Sequence, residues 1–219
     1  MARLLLLRHG QSRWNAENRW QGWADPPLSD LGEAQAVALA SRLAPTALDG
    51  PALEGVVTSD LERARRTAAI VGERLGLTVE VEVALRERDV GDWSGLTTAE
   101  IEHDWRDELA AWRVGGLAAP PGGECDDAMA ERVLGVLHRL VARPEAALLV
   151  VTHGGLIRLV HRRLGLEPPP IPNLSGRWLH RAARTDGSAS LVPGALFLPT
   201  LEGDVGDEAP LVPGTSASW

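Results

Sequence analysis

The 219-residue sequence contains no lysine, so all 22 of its basic side chains are arginines, and it has a single cysteine, Cys125. One cysteine cannot form an internal disulfide, which excludes a disulfide-stabilised secreted scaffold and fits a reducing compartment. Long apolar runs are also absent. The leucine-rich start is too short for the core of a secretory signal, and no later run approaches the length that spans a bilayer. We therefore expect a cytoplasmic protein.

The charge balance excludes further classes of partner. A formal net charge of -8 and a pI near 5.3 disfavour nucleic acid or an anionic membrane, because the overall field of the protein would repel both. Any anion site must therefore be local. A chain of this length with 44% hydrophobic residues can bury a full core as one domain. We expect that domain over residues 1–199, followed by an acidic tail rich in proline and glycine over 200–219.

The hydrophobic pattern alternates between strand-like and helix-like segments. Buried strands are predicted at 2–7, 55–58, 77–83 and 146–151, and a hairpin over 177–184 and 188–198 around the turn sequence TDGS. Helices are predicted at 28–43 with Ser29 as N-cap, at 60–75 closed by Gly76, in two pieces over 97–112, at 126–141 and at 154–164. This order predicts an α/β fold with a mainly parallel sheet covered on both faces.

Charged residues and histidines follow several of these strands. Arg8, His9 and Gly10 end the first strand, and His153 and Gly154 follow the strand at 146–151. Arg63 lies about one turn into the helix after the second strand, and Glu87 comes after the third. The carboxyl ends of parallel strands share one edge of a sheet, where ligands bind. We therefore expect these side chains to meet there.

The chemistry of this set points to phosphomonoesters. Two arginines and the amides at a helix start suit a dianionic oxyanion, a neutral imidazole can attack phosphorus, and a protonated Glu87 can give its proton to the leaving alkoxide. No metal or other cofactor is needed, because the arginines and His153 supply the positive charge.

Other residues have simpler interpretations. The four remaining histidines fit surface or packing roles, and Arg65 and Arg66 fit a solvated helix face. Tryptophans in polar segments can be core residues or can form the wall of a pocket. The residues in question are His103, His138, His161, His180, Trp14, Trp20, Trp23, Trp105 and Trp112.

Taken together, the segments LLLLRHGQSRWN, QGWADPPLSDLGEAQA, TSDLERARRTA, LRERDVGDWSGLT, PPGGEC and VVTHGGLIR resemble the histidine phosphatase superfamily. The resemblance is to the branch of cofactor-dependent phosphoglycerate mutases and broad-specificity phosphatases, over about residues 3–165. It implies a three-layer α/β/α sandwich of the phosphoglycerate mutase type, with one antiparallel strand in the sheet.

The resemblance also implies roles for individual residues. His9 would be the nucleophile and Glu87 the proton donor. Phosphate ligands would be Arg8, Arg63 and His153, and substrate contacts would come from Asn15, Gln21, Gly22 and Gly154. The family often has other residues at Arg66, Ser94 and Cys125, which leaves the choice of substrate open and the phosphate chemistry intact.

Three alternatives to a phosphatase stay open. The first alternative is a mutase, which must keep water from its phosphoenzyme. The segment between Glu87 and the PGGE motif looks shorter than in glycolytic mutases, and this difference favours hydrolysis. The substrate would be a small phosphorylated metabolite such as a phosphoglycerate or sugar phosphate derivative. Residues 92–97 look most like actinobacterial phosphatases, including those acting on glucosyl-3-phosphoglycerate.

The second alternative is a non-catalytic binding protein, which should have lost one of the core residues. The third is a metal hydrolase, which should lose activity when a chelator is added. Trp219 could cover a sheet edge or pack on a second subunit, which leaves a homodimer open.

Overall fold

A computed structural model describes residues 3–44, 52–144, 147–183 and 189–199. Within these ranges a six-stranded sheet is flanked by helices. The strands are β1 (Arg3–Arg8), β2 (Gly55–Thr58), β3 (Val79–Val81), β4 (Ala147–Thr152), β5 (Gly176–Ala183) and β6 (Ala189–Phe197). The helices are α1 (Arg13–Ala16), α2 (Asp30–Arg42), α3 (Glu62–Leu75), α4 (Thr98–Asp104), α5 (Arg106–Arg113), α6 (Asp126–Val141) and α7 (Gly154–Arg163). Single 3-10 turns occur at Val83–Leu85 and Gly91–Trp93.

The leucines of β1 are buried on both faces of the sheet. Leu4 and Leu6 belong to one core with α6 and α7, whereas Leu5 and Leu7 belong to a second core with α2 and α3. The alternation follows from the two-residue period of a strand, which sends successive side chains to opposite faces. A continuous apolar run is therefore the expected sequence for a central strand between two helical layers. This arrangement confirms the three-layer α/β/α sandwich.

Strand order in the sheet is β3-β2-β4-β1-β5-β6. The pairs β2–β3, β2–β4 and β1–β4 are parallel. Strand β5 pairs antiparallel with both β1 and β6, so β5 alone among these six strands runs in the opposite direction. This topology confirms the mostly parallel sheet with one antiparallel strand. Successive strands are added on one side of β1 early in the chain and on its other side later, and folds of this kind bind ligands at such a switch point.

Helix ends follow the signals in the sequence. The Ser29 hydroxyl accepts a hydrogen bond from the Gly32 amide at 3.0 Å, and Gly76 ends α3 in the left-handed conformation with φ +66°, as predicted. The third strand is shorter than predicted, covering Val79–Val81 only. Its sole described neighbour in the sheet is the four-residue β2, so the ladder cannot extend further, and Val83–Leu85 turns away.

A third apolar cluster lies beyond the carboxyl edge of the sheet. Trp20, Trp93 and Trp112 contact one another edge to face, with ring centroids 5.5 to 5.7 Å apart. Edge-to-face packing is a favoured geometry for aromatic rings. The tryptophans therefore hold α4 and α5 over this edge as a small core of their own.

Two expectations fall outside the residues described above. The TDGS turn lies between the described parts of β5 and β6, which do pair as a hairpin, and the acidic tail from 200 onward, including Trp219, is not described; the division into a domain and a tail stays a prediction. None of the helices within the described ranges has the length and apolar character needed to span a membrane.

Below neutral pH we expect His161 to destabilise the fold. The Arg177 Nε donates a hydrogen bond to His161 Nε2 at 2.7 Å, which requires a neutral imidazole, and burial together with Arg177 lowers the pKa of His161 from 6.5 to about 4. The unfolded chain therefore binds the proton more readily between these values, so stability falls as the pH drops from about 6.5 to 4.

Urea denaturation across this pH range tests the effect. The urea midpoint of the wild type should fall with pH, and His161→Gln, which keeps an acceptor for Arg177 but does not titrate, should show a shallower fall. Equal pH slopes for the two proteins would contradict this account.

Candidate active site

Two histidines lie side by side because β1 and β4 are parallel neighbours in register. Arg8 pairs with Thr152 at the carboxyl end of the two strands, so His9 and His153 follow at the same edge. The His9 amide donates a hydrogen bond to the Thr152 carbonyl at 2.9 Å, and the two rings lie 5.1 Å apart at their centroids. Both side chains are buried. The sequence prediction that these strand ends meet is confirmed.

The turn after His9 is fixed by close packing against two helices. A Cβ on Gly10 would lie 2.7 Å from the Gly32 carbonyl oxygen at the start of α2, so no larger residue fits there. The Gly10 amide donates a hydrogen bond to Thr67 Oγ1 at 3.0 Å, and that hydroxyl donates to the Arg63 carbonyl at 2.7 Å. Helix α3 thus fixes both the His9 turn and the backbone of Arg63.

The hydrogen bonds of His9 select one tautomer. Nδ1 lies 2.6 Å from the Gly10 carbonyl oxygen, which can only accept, so Nδ1 carries the proton. Nε2 accepts a hydrogen bond from Arg63 Nε at 3.2 Å and therefore presents a lone pair. Burial, Arg63 and Arg8 hold the pKa of His9 well below its usual value, because each disfavours the imidazolium. His9 is thus a neutral imidazole whose Nε2 lone pair lies beside the Arg63 guanidinium.

The second arginine, Arg63, is buried and held in one orientation. Its Nη1 donates to the Ala24 carbonyl at 2.8 Å and its Nη2 to the Gly22 carbonyl at 2.9 Å, which ties it to the loop of the QGWAD motif. These contacts and the one to His9 use three of the five guanidinium N–H groups. Burial lowers the pKa of Arg63 to about 10, while Glu87 and Asp25 raise it, so the group stays charged at neutral pH.

Arg8 and His153 complete the site beside Arg63. Arg8 adds a second positive charge, but the expectation that His153 also supplies positive charge is wrong, because its lowered pKa keeps the ring neutral. Arg8 Nη1 donates to the Ile171 carbonyl at 2.6 Å, and its Nε lies 3.4 Å from the position that a Cβ on Gly154 would occupy. Burial and the neighbouring Arg63 hold the pKa of His153 well below its usual value. Neither ring nitrogen of His153 has a hydrogen-bond partner among the described residues, and a buried polar atom in that state calls for a ligand.

Glu87 is held at the same edge by two backbone amides. Its Oε2 accepts a hydrogen bond from the Gly155 amide in the first turn of α7 at 2.8 Å, and its Oε1 accepts from the Arg88 amide at 2.8 Å. A Cβ on Gly155 would lie only 2.4 Å from Oε1. The second glycine of the HGG sequence therefore leaves the space that the carboxyl group occupies.

Arg132 on α6 orders the backbone behind Glu87, and the sequence reasoning missed it. Its guanidinium donates to the carbonyl oxygens of Ala84, Arg86 and Glu87 at 2.8 to 2.9 Å and forms a two-point ion pair with Glu124 of the PGGE motif. The Trp23 indole also donates to the Glu87 carbonyl at 2.8 Å. An arginine in the middle of an amphipathic helix carries no sequence signal for this role, although its pairing with the PGGE glutamate explains why that motif needs a carboxylate.

We expect Arg132→Gln to lower turnover about 10- to 100-fold, because it should displace Glu87, the predicted proton donor, and a misplaced catalytic group lowers the rate even when the fold survives. The pH dependence of turnover should shift as well, which mere destabilisation would not cause, and Arg132→Lys should recover part of the rate. The matched control is Arg139→Gln on the same helix, whose arginine is exposed and pairs with Glu82. Equal kinetics for the two glutamine variants would refute a positioning role for Arg132.

A cavity of about 610 Å³ opens from these residues, and its lining includes four of the five predicted core side chains together with Asn15, Gln21, Gly22 and Gly154. His153 is not among the lining residues, and its side chain is fully buried beside His9. Asn15 belongs to the short helix α1, which the sequence reasoning missed despite its capping pair with Ser12. Asn173 is a further lining residue that was missed; its amide donates to the His9 carbonyl at 2.9 Å. The cavity continues outward to Trp20, Trp112 and four more arginines, Arg19, Arg88, Arg158 and Arg162.

Several of the residues that were given simpler interpretations lie away from the five predicted core residues. Arg65 and Arg66 form exposed ion pairs with Glu62 and Glu33, as predicted for a solvated helix face. Of the departures from the family pattern, Ser94 bonds to the Gln21 carbonyl and Cys125 is the N-cap of α6, where its sulfur accepts from the Ala128 amide. Trp20 and Trp112 fit both interpretations given for the tryptophans, because they pack in an apolar cluster and also line the cavity.

An α/β sandwich that brings a neutral histidine, two arginines and a carboxyl group to one strand edge is the framework of a phosphoryl-transfer enzyme. The family model of the histidine phosphatase superfamily (branch 1) matches residues 4–177. The chain belongs to this superfamily. A glucosyl-3-phosphoglycerate phosphatase of Mycolicibacterium vanbaalenii is 40% identical over 88% of each chain, and a 2,3-bisphosphoglycerate-dependent phosphoglycerate mutase of Methylobacterium radiotolerans is 42% identical over 80% of this chain and 84% of that one.

Solved structures agree with this assignment. A mycobacterial glucosyl-3-phosphoglycerate phosphatase in complex with VO3 superimposes with a TM-score of 0.72 at 36% identity, covering 88% of this chain and 97% of that one. A protein described as mycobacterial hydrolase 1 gives a TM-score of 0.75 at the same identity and coverage. The family and these relatives place the protein among the phosphatases, the hydrolases of phosphoric monoesters.

Proposed function

We propose that the protein is a metal-independent phosphomonoesterase that works through a covalent phosphohistidine on His9. The observation that carries this proposal is the state of His9: its Nδ1–H bonds to the Gly10 carbonyl, and its Nε2 lone pair is held by Arg63 in a buried, cationic setting. An imidazole fixed in this tautomer is a nucleophile that needs no separate base.

In the first step Nε2 of His9 attacks phosphorus, and a P–N bond forms as the P–O bond to the alcohol breaks. Glu87 acts as the general acid of this step and gives a proton to the leaving alkoxide oxygen. Arg8, Arg63 and His153 bind the non-bridging oxygens and stabilise the charge that spreads over them in the transition state. The products are the free alcohol and phosphohistidine.

In the second step water attacks the phosphohistidine, and Glu87 takes its proton back from that water. The P–N bond breaks with its electron pair returning to Nε2, so His9 regains the lone pair and inorganic phosphate leaves. The Nδ1 hydrogen bond to Gly10 persists through both steps. This contact fixes the orientation of the ring and stabilises the positive charge that the ring carries while phosphorylated.

Positive charge for the transferring phosphoryl group comes from the protein itself. Arg8 and Arg63 are buried at the end of β1 and in the first turn of α3. A guanidinium places two parallel N–H donors against phosphate oxygens, a geometry that suits this group. We therefore propose that the reaction proceeds without a metal ion.

For the substrate we propose glucosyl-3-phosphoglycerate or a close relative of it. The support is the likeness to phosphatases named for that compound and the size of the cavity, which extends well past the phosphoryl site to Trp20, Arg19 and Thr98. A three-carbon phosphoester would leave this outer part unfilled, whereas a sugar ring joined to the glycerate would occupy it.

Phosphate release from three compounds in the presence of EDTA tests the proposal. We expect glucosyl-3-phosphoglycerate to give the highest kcat/KM, followed by 3-phosphoglycerate, with p-nitrophenyl phosphate also hydrolysed. Loss of all release in EDTA, with recovery on adding a divalent metal, would contradict the metal-independent mechanism. Release without preference for the glucosylated substrate would contradict the substrate assignment alone.

A phosphoglycerate mutase is the second candidate, because relatives bearing that name are as similar as the phosphatases. A mutase must shield the phosphohistidine from water, and the part of the chain that would do so, residues 88–121, is short. Interconversion of 2- and 3-phosphoglycerate that exceeds phosphate release and is stimulated by 2,3-bisphosphoglycerate would favour this candidate over the phosphatase.

A further inference from the structure

One face of α7 connects the phosphoryl site to the outer cavity. Gly154, Arg158 and Arg162 all line the cavity and are spaced four residues apart, so they lie on the same side of the helix. Each step of four residues advances ~6 Å along the axis. The face therefore leads from the strand end at His153 outward, with an arginine at each step.

Arg158 reaches back toward the phosphoryl site. Its Nη1 lies 3.6 Å from the position that a Cβ on Gly154 would occupy, and Arg8 Nε lies 3.4 Å from the same position. Side chains on a helix lean toward its N-terminus, which explains this direction. The guanidinium groups of Arg158 and Arg8 thus both lie next to Gly154.

Farther out, two more arginines share one carboxylate. Asp126 accepts a hydrogen bond from Arg88 through Oδ1 and from Arg162 through Oδ2, the latter at 3.1 Å. Burial lowers the pKa of Arg162, Asp126 raises it, and both Arg88 and Arg158 lower it. Arg88 and Arg158 therefore both lie close enough to Arg162 on the cavity wall to interact with it electrostatically. Positive charges gathered in this way favour an anionic ligand.

We propose that Arg158 binds a second anionic group of the substrate, the carboxylate of a phosphorylated 2-hydroxy acid, beside the phosphoryl group. Arg162 and Arg88, fixed by Asp126, form the outer wall of this carboxylate subsite and raise its positive potential. The inference rests on the proposed phosphatase function and adds a requirement: the alcohol product must carry an acid group close to the ester. Neutral sugar phosphates and aryl phosphates then lack one contact.

The test compares two substrates that differ at one carbon. 3-Phosphoglycerate and glycerol 3-phosphate share the phosphoester, but only the first has a carboxylate. We expect the wild type to prefer 3-phosphoglycerate in kcat/KM by at least tenfold. In Arg158→Gln this preference should fall about 10- to 100-fold, the range for loss of a hydrogen bond between charged groups, and Arg158→Lys should keep part of it.

The matched control is Arg163→Gln, at the residue that directly follows Arg162 in α7. Arg163 is exposed, lies outside the cavity lining and pairs with Asp127. Its substrate preference should equal that of the wild type, and thermal unfolding of each variant checks that the fold persists. Equal losses for both substrates in Arg158→Gln would overturn the carboxylate assignment.

The two proposals can fail separately. A wild type that hydrolyses both esters equally well would overturn the carboxylate subsite and leave the phosphatase proposal standing. A wild type that releases phosphate from neither these substrates nor p-nitrophenyl phosphate would overturn the phosphatase proposal itself.

Discussion

Replacing His9 by alanine is expected to lower phosphate release by at least ~10⁴-fold, since removal of a covalent nucleophile abolishes the two-step route and leaves only transition-state binding. The imidazole has no substitute nearby. His153 is buried beside it at 5.1 Å between ring centroids, but it lacks the carbonyl contact to Gly10 that fixes the proton on Nδ1 of His9. We therefore expect no rescue by the second histidine.

The covalent step can be detected directly. Wild-type enzyme quenched in base during turnover should carry one phosphoryl group, seen as added mass on the intact chain, because phosphohistidine survives alkali. His9→Ala should carry none. The matched control is His103→Ala, whose imidazole is exposed and contacts Asp104 on the surface. A phosphorylated His9→Ala protein with retained turnover would overturn the assignment of the nucleophile.

Much of this site could be predicted from the sequence, because the sequence shows where the buried strands end. The buried run at β1 and the one at β4 are both unmistakable central strands, and parallel neighbours in register deliver the next residues to one edge. The sequence alone therefore predicts that His9 and His153 lie side by side. Arg63 followed from its position in the first turn of α3, after β2, and Glu87 from the strand before it.

The parts that escaped prediction depend on long-range contacts. Asn173 lies in an irregular segment, and its bond to the His9 carbonyl joins residues 164 positions apart. Arg132 acts on carbonyl oxygens of a distant loop, and any arginine on that helix looks alike in sequence. The length of β3 likewise depended on its neighbour in the sheet, since its own sequence alternates well beyond the three residues that pair. Local sequence patterns indicate the propensity for helix or strand, whereas these features depend on tertiary contacts.

Gly155→Ala is expected to lower turnover about 10²- to 10³-fold on substrates with a poor leaving group, within the range that general acid catalysis contributes. The added methyl carbon would lie 2.4 Å from Glu87 Oε1, so the carboxyl group must move away from the leaving oxygen. p-Nitrophenyl phosphate should lose much less rate, because its leaving group is stable without a proton. This difference between substrates separates loss of the proton donor from general damage.

A double-mutant comparison makes the cause specific. Glu87→Gln should show the same substrate-dependent loss, and adding Gly155→Ala to it should cost little more, because residues that act as one unit give non-additive effects. Gly135→Ala is the matched control, since a Cβ there meets only the end of the Arg139 side chain at 3.9 Å and alanine favours a helix. Additive losses in the double variant would mean that Gly155 supports the site through something other than Glu87, and the backbone of α7 beside His153 would then be the place to look.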